Sequence, residues 1–183
     1  IRRLAESLLK NPVKIEVGIQ NAPAQSVKQW LYEVDKNRKS ALLSHLVRKN
    51  SWEQVLVFTR TKDGANRLVQ KLARDNISAD AIHGDKRQGE RTRALAAFKA
   101  GEIRVLVATD IVARGIDITE LPQVINFDLP KVPEDYIHRI GRTGRAGLPG
   151  EAICLVSADE VKLLEAIESL IRQTLVREVE TGF

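Results

Sequence analysis

The sequence predicts an α/β three-layer sandwich around a mostly parallel central sheet. Short, continuously apolar runs such as Val55-Leu56-Val57-Phe58 and Val105-Leu106-Val107-Ala108 are what strands buried on both faces look like. Segments with helical spacing lie between such runs, Ala65, Leu68, Val69 and Leu72 forming one apolar face. Strand and helix alternate along the chain, as helices covering both faces of a parallel sheet require. The 183 residues, 43% of them hydrophobic, suffice for one ordinary domain with a filled core and a short appendage.

Taken in order, Leu4, Leu8 and Leu9 form a short helical stripe that stops at Asn11-Pro12, because proline disfavours helical geometry in the residue before it. Val13 to Val17 alternates apolar and charged residues, as an extended stretch does. Residues 18–26 (G-I-Q-N-A-P-A-Q-S) lack periodicity and read as a linker, which sets a boundary near Ser26 between residues 1–25 and a domain of residues 26–183. Within that domain, strands are expected at 27–34, 55–58, 79–82, 105–108, 124–127 and 153–156. Helices are expected at 37–48, 61–75, 87–99, 134–140 and 160–172. There is no internal repeat or low-complexity segment.

The formal net charge of +5 suits a polyanion partner without demanding one. With aromatics at 4%, contacts to a sugar-phosphate backbone are favoured over an interface of stacked bases. Cys154 is the single cysteine and lies inside an apolar run, so a disulfide or cysteine metal cluster within the chain is excluded and a buried, inert thiol is expected. No apolar run at the start is long enough for a signal peptide or a membrane span. A cytoplasmic location without a membrane partner is therefore expected, although an internal piece of a longer protein would look the same.

Open α/β sheets bind ligands beyond the carboxyl ends of their strands, and the chemistry-bearing residues here follow strands. The densest group is His138-Arg139-Ile140-Gly141-Arg142-Thr143-Gly144-Arg145, with two arginines between glycines. Guanidinium forks bind phosphate oxygens in pairs and stay charged, so a clamp on a transferring phosphoryl group is one reading and a solvated basic loop the other. The stretch from Ala108 to Asp117 leaves a strand with Thr109, Asp110, Arg114 and Asp117. Asp110 could imitate a magnesium-binding carboxylate or cap a helix, and Asp117 is suited to accept from a ribose hydroxyl. His83-Gly84-Asp85 feeds a helix start through Gln88-Gly89-Glu90-Arg91, but Glu90-Arg91 stands where a P-loop needs Lys and Ser or Thr. No other P-loop pattern occurs, so the chain carries no cradle of its own for β and γ phosphates. His45, His83 and His138 lack metal-ligand spacing, and no metal site is expected.

In this order, these segments resemble the C-terminal RecA-like domain of bacterial DEAD-box RNA helicases, over nearly the whole chain. Residues 55–62 look like motif IV, Gln88 to Arg91 like the Q-x-x-R element, Ala108 to Asp117 like motif V, and His138 to Arg145 like motif VI. His138 separates the chain from helicases of the DEAH and RecQ kinds, which usually have Gln there. The wording of V-L-V-F-T-R-T-K and V-P-E-D-Y-I-H-R-I-G-R-T-G-R is closest to the RhlE-like subgroup, and residues 1–17 look like the end of a preceding RecA-like domain.

The resemblance implies a RecA-like sandwich in which Arg142 and Arg145 act as arginine fingers on the γ-phosphate of ATP, held with Mg2+ mainly by the preceding N-terminal RecA-like domain. Gly115 and Asp117 would meet the ribose. Arg60, Thr61, Gly84, Arg91 and Thr109 would line the RNA backbone with little sequence preference, Gln88 orienting Arg91. His138 and Arg114 would couple the closed domains, His138 counting with the catalytic set and Arg114 with the RNA-binding set. The Q motif, the P-loop and the D-E-A-D sequence are not in this chain, so no ATPase activity is expected of it alone, and Arg60 stands where relatives often have a smaller residue. A pure RNA-binding module and a DNA translocase on the same fold are the rival readings.

Overall fold

A computed structural model describes residues 27–144 and 149–183. The expected helix, extended stretch, linker and boundary near Ser26 lie outside the described residues. Among the described residues, seven strands build one sheet: β1 (Val27–Glu33), β2 (Val55–Phe58), β3 (Ala79–Ile82), β4 (Val105–Ala108), β5 (Gln123–Asn126), β6 (Gly150–Val156) and β7 (Val176–Glu178). Six helices connect them: α1 (Lys39–Lys49), α2 (Lys62–Arg74), α3 (Gln88–Lys99), α4 (Asp110–Ala113), α5 (Pro133–Ile140) and α6 (Val161–Ile171). The strand order is β3-β4-β2-β5-β6-β1-β7. Every neighbouring pair is parallel, so the sheet is more uniform than the mostly parallel one expected.

The period of two along each strand sorts the core into layers. Val55, Val57, Val105, Val107, Ile125 and Ile153 face α1 and α2, whose Leu42, Leu46, Leu68 and Leu72 complete one apolar cluster. Leu56, Phe58, Leu106, Ala108 and Val124 face the other way and pack on α3 and α4. On that same second face, Leu31, Ala152, Cys154 and Val156 pack on α5 and α6 through Tyr136, Ile140, Leu164 and Ile167. Two clusters therefore share one face, and the seam between them runs along β5. Asn126, wholly buried, sits on that seam.

Four differences from the sequence expectation have local causes. The first helix begins at Lys39, after a 3-10 turn over Lys36–Arg38, and β6 starts at Gly150 because its whole length pairs with Val27–Glu33. The strand expected at 124–127 is shifted by one residue, ending at Asn126 in register with Phe58 and Cys154. β7 is a short edge strand whose three residues are all exposed, so it has no apolar run to betray it. Backbone pairing with Trp30 to Tyr32 holds it, together with an Arg177–Glu168 ion pair at 2.8 Å.

Cys154 is fully buried on β6, and burial pushes its thiol up to about 12. At pH 8 only about one thiol in 10⁴ is then the reactive thiolate. Native chain treated with a thiol reagent at that pH should label at least about a hundredfold more slowly than chain unfolded in guanidinium. Equal rates would show that the thiol is open to solvent.

Candidate functional site

Three adjacent strands, in the order β3-β4-β2, each end in a residue expected to face RNA. Gly84 lies just beyond β3, Thr109 just beyond β4 and Thr61 shortly after β2. At a strand spacing of about 4.8 Å they form a short row along the carboxyl edge. Thr61 caps α2, its hydroxyl accepting from the Gly64 amide at 3.0 Å. Thr109 is buried and extended ahead of α4, its amide donating to the Ile82 carbonyl at 3.4 Å. Gly84 is exposed, and a Cβ there would meet nothing within 4 Å, so the fold itself does not demand glycine. Both α2 and α3 begin at this edge and turn their partly positive N-termini toward it.

On α3, Arg91 is half-buried, with its Nε buried and without a hydrogen-bond partner among the described residues. The Gln88 amide lies 3.5 Å from the Thr92 hydroxyl, which itself donates to the Gln88 carbonyl at 2.9 Å, so Gln88 is directed at Thr92 and not at Arg91. His83, beneath Gly84, is buried against the Asn66 side-chain oxygen at 2.8 Å. Burial, reinforced by the Lys86 charge, holds its imidazole below the ordinary histidine range.

Arg60 turns inward. Its Nη2 donates to Glu160 Oε1 at 3.0 Å and to the Leu129 carbonyl at 3.4 Å, while its amide donates to Asp128 Oδ2 at 2.9 Å. Glu160 is buried and also accepts from buried Lys39, from the Leu129 amide at 3.0 Å and from the Ser157 amide at 3.2 Å. None of Lys39, Glu160 and Arg139 stands out as a site residue in the sequence. Lys39 and Arg139 nevertheless occupy the apolar phase of their helices, Lys39 with Leu42, Leu43 and Leu46 and Arg139 with Tyr136 and Ile140. That phase is the available signal.

Arg139 is the largest fully buried side chain among the described residues and fills the seam at β5. Its Nε and Nη2 form a fork with Asp110 at 2.6 and 2.7 Å. Nη1 donates to Asn126 Oδ1 at 3.0 Å and to the Asp128 carbonyl at 2.6 Å, and the guanidinium lies 4.9 Å from the centre of the Phe58 ring. Asp110 is thus neither the cap of α4, a position Thr109 holds, nor an open magnesium ligand. Both its oxygens face Arg139.

Arg142, one turn on, is half-buried and directs Nη1 to the Ile116 carbonyl at 2.8 Å and the Ile118 carbonyl at 3.3 Å, and Nη2 to the Ala113 carbonyl at 2.7 Å. It is docked on the loop that carries Gly115 and Asp117, not solvated at a loop tip. Exposed Arg114 pairs with Asp135, and exposed His138 places Nδ1 3.8 Å from the same carboxylate. The structure therefore brings Arg142, Gly115, Asp117, Arg114 and His138 to one region. Arg145 lies outside the described residues.

The loop after α5 is seated tightly. Thr143 donates through its hydroxyl to the Leu121 carbonyl, Leu121 donates to the Arg142 carbonyl at 3.1 Å, and Gly144 turns the chain at φ +64°. Gly150 makes this possible, since a Cβ there would stand 2.3 Å from the Gly144 amide nitrogen.

The all-parallel sandwich and its carboxyl-edge site define a helicase-type RecA-like α/β domain. The sequence pattern of the helicase conserved C-terminal domain matches residues 38–147, and the chain belongs to that family, as it occurs in bacterial DEAD-box RNA helicases. It is 44% identical over 168 residues to the ATP-dependent RNA helicase RhlB of Pseudomonas syringae, which covers 92% of this chain and 42% of that protein. It is 41% identical over 177 residues to the DEAD-box ATP-dependent RNA helicase CshA of Bacillus licheniformis, covering 97% of this chain and 36% of that protein. Among solved structures, Saccharomyces cerevisiae Dbp5 bound to RNA and ADP BeF3 matches with a TM-score of 0.84 at 33% identity, over 97% of this chain and 48% of that one. The chain spans less than half the length of these relatives. Their names support a bacterial DEAD-box helicase without selecting the RhlE-like subgroup.

Gly150→Ala should force the 143–144 backbone off β6, an overpacking cost of about 1–3 kcal/mol that a thermal melt can read. Gly84→Ala, where the added methyl meets open space, is the control. A melting temperature unchanged by Gly150→Ala would mean that the loop seat is not as tight as the contacts require.

Proposed function

We propose that this domain is the C-terminal half of a cytoplasmic ATP-dependent DEAD-box RNA helicase, where it supplies arginines to a nucleotide held between two domains and a part of the RNA track. The observation that carries the reading is the division of one carboxyl edge into two parts. Gly84, Thr109 and Thr61 stand in a row over β3-β4-β2, while Arg142 and the Gly115–Asp117 loop lie together at the joint of α4 and α5. None of these residues is aromatic, and a backbone-tracking, sequence-tolerant RNA contact follows from that chemistry. Glycine at 84, which the fold does not require, leaves room for a phosphate to approach the backbone.

Bound nucleotide with magnesium supplies the phosphoryl bond whose hydrolysis drives release of RNA. Within this chain, Arg142 and Arg145 bring positive charge toward it, and Gly115 and Asp117 meet its ribose. The Asp110 carboxylate is closed by Arg139 and is not a magnesium ligand in this reading, in which the preceding domain would hold the metal. His138 and Arg114, sharing Asp135, stand on the face that domain would close upon. Thr61, Gly84, Arg91 and Thr109 touch RNA backbone. Arg60 and Lys39 support that edge from behind through the buried Glu160, and exposed Gln88 stands at the start of α3 beside Arg91.

In a full-length helicase carrying this domain, Arg142→Lys keeps the charge and loses the planar fork. RNA-stimulated ATP turnover should fall by at least about tenfold, with the same change at Arg145 acting alike, because a finger arginine is commonly worth 10³ or more and two can share the effect. Turnover unchanged in Arg142→Lys, together with RNA binding weakened in Arg142→Ala, would make this a basic loop and not a clamp. The chain alone should show no RNA-stimulated hydrolysis above an Arg145→Ala control.

A further inference from the structure

Two arginines three residues apart, Arg139 on α5 and Arg142 just past its end, hold opposite ends of the same connection. Arg139 takes the carboxylate of Asp110, the first residue of α4, in a two-bond fork at 2.6 and 2.7 Å. Arg142 takes the carbonyls at the far end, Ala113 at 2.7 Å and Ile116 at 2.8 Å. Thr109, the central residue of the row expected to face RNA, is bonded through the chain to Asp110. The four residues therefore form a continuous line from the RNA edge to the nucleotide arginine.

We propose that the Asp110–Arg139 fork is the positioning pair that fixes Arg142. The proposal rests on the reading of Arg142 given above. Arg139 is 1% exposed and cannot touch nucleotide or RNA, so whatever it contributes passes through its neighbours. A planar guanidinium with two parallel bonds to one carboxylate fixes orientation as well as distance, which a single-point lysine contact does not. A buried ion pair is seldom more stable than a well-packed apolar replacement, and its best-attested benefit is a fixed arrangement. Here the arrangement spans three segments, since Nη1 also holds Asn126 Oδ1 at 3.0 Å and the Asp128 carbonyl at 2.6 Å. A shift of α4 cannot then occur without a shift of α5, the helix that leads into Arg142.

The test is a double-mutant cycle on RNA-stimulated ATP turnover in a full-length helicase carrying this domain, comparing Asp110→Asn, Arg142→Lys and the two together. If Asp110 acts through Arg142, Asp110→Asn lowers kcat by about tenfold while the KM for ATP and the affinity for RNA stay within about twofold, and the double variant is no slower than Arg142→Lys. A purely structural role would lower the melting temperature without this kcat-against-KM split. Where Asp110→Asn does not fold, Arg139→Lys, which keeps the charge in the seam but cannot fork, takes its place in the cycle with the same expected result. A tenfold loss in Arg142→Lys with full turnover in Asp110→Asn, or losses that multiply in the double variant, overturns the positioning pair and leaves the clamp standing. Full turnover in Arg142→Lys overturns the clamp and the pair together.

Discussion

The arrangement of the carboxyl edge depends on one buried charge. Arg139 lies where two apolar clusters of the same sheet face meet, and a guanidinium there must find acceptors within the protein. It finds them on α4, at the end of β5 and in the loop that follows. Each acceptor is thereby held relative to the others, and α5 relative to all of them. Breaking such a buried pair by removing one partner costs roughly 3–5 kcal/mol, several times the value of an exposed ion pair. The loop from Ala113 to Ile118 is anchored by buried Ala113 and Ile118, and Arg142, just past the end of α5, holds its carbonyls.

A second buried charge works in the same way on the neighbouring part of the edge. Glu160 is shared by Lys39 and Arg60, so two positive charges meet one negative charge. Of the three side chains, Lys39 is 2% exposed, Glu160 3% and Arg60 31%, which leaves Arg60 as the one that brings the excess charge toward solvent. That charge emerges beside the N-terminus of α2, where the helix adds its own partial positive charge. Arg60 thus adds positive charge near the carboxyl edge of the sheet even with its fork turned inward on Glu160.

The layers were legible because they depend on local pattern. Strands such as β2 and β4, buried on both faces, declare themselves as apolar runs, and α2 declares itself by spacing. The candidate site residues were legible by position, and Gly84, Thr109 and Thr61 follow β3, β4 and β2, three neighbouring strands. What the pattern did not yield is what a charged residue does once tertiary structure surrounds it. Arg139 and Asp110 are 29 residues apart, and nothing in their separate contexts says that each completes the other. Asp110 alone allows a cap or a metal ligand, and the structure gives it neither role, since Thr109 holds the cap position and both carboxylate oxygens face Arg139. β7 escaped for the opposite reason, since its three exposed residues are a strand through backbone pairing alone. Gly150 needed the path of Thr143 and Gly144 before its lack of a side chain acquired a meaning.

The claim that one fork holds both α4 and α5 is most directly measured by amide hydrogen exchange on this chain, comparing the unchanged protein with Asp110→Asn. Protection reports local opening, so segments held by the same contact should lose it together. The account predicts that amides of residues 110–118 and of residues 138–143 exchange faster in parallel, while those of α1 and α2, on the opposite face, stay protected. Faster exchange confined to residues 110–118, with α5 and the Arg142 turn unchanged, would show that the two segments are held independently and would contradict it.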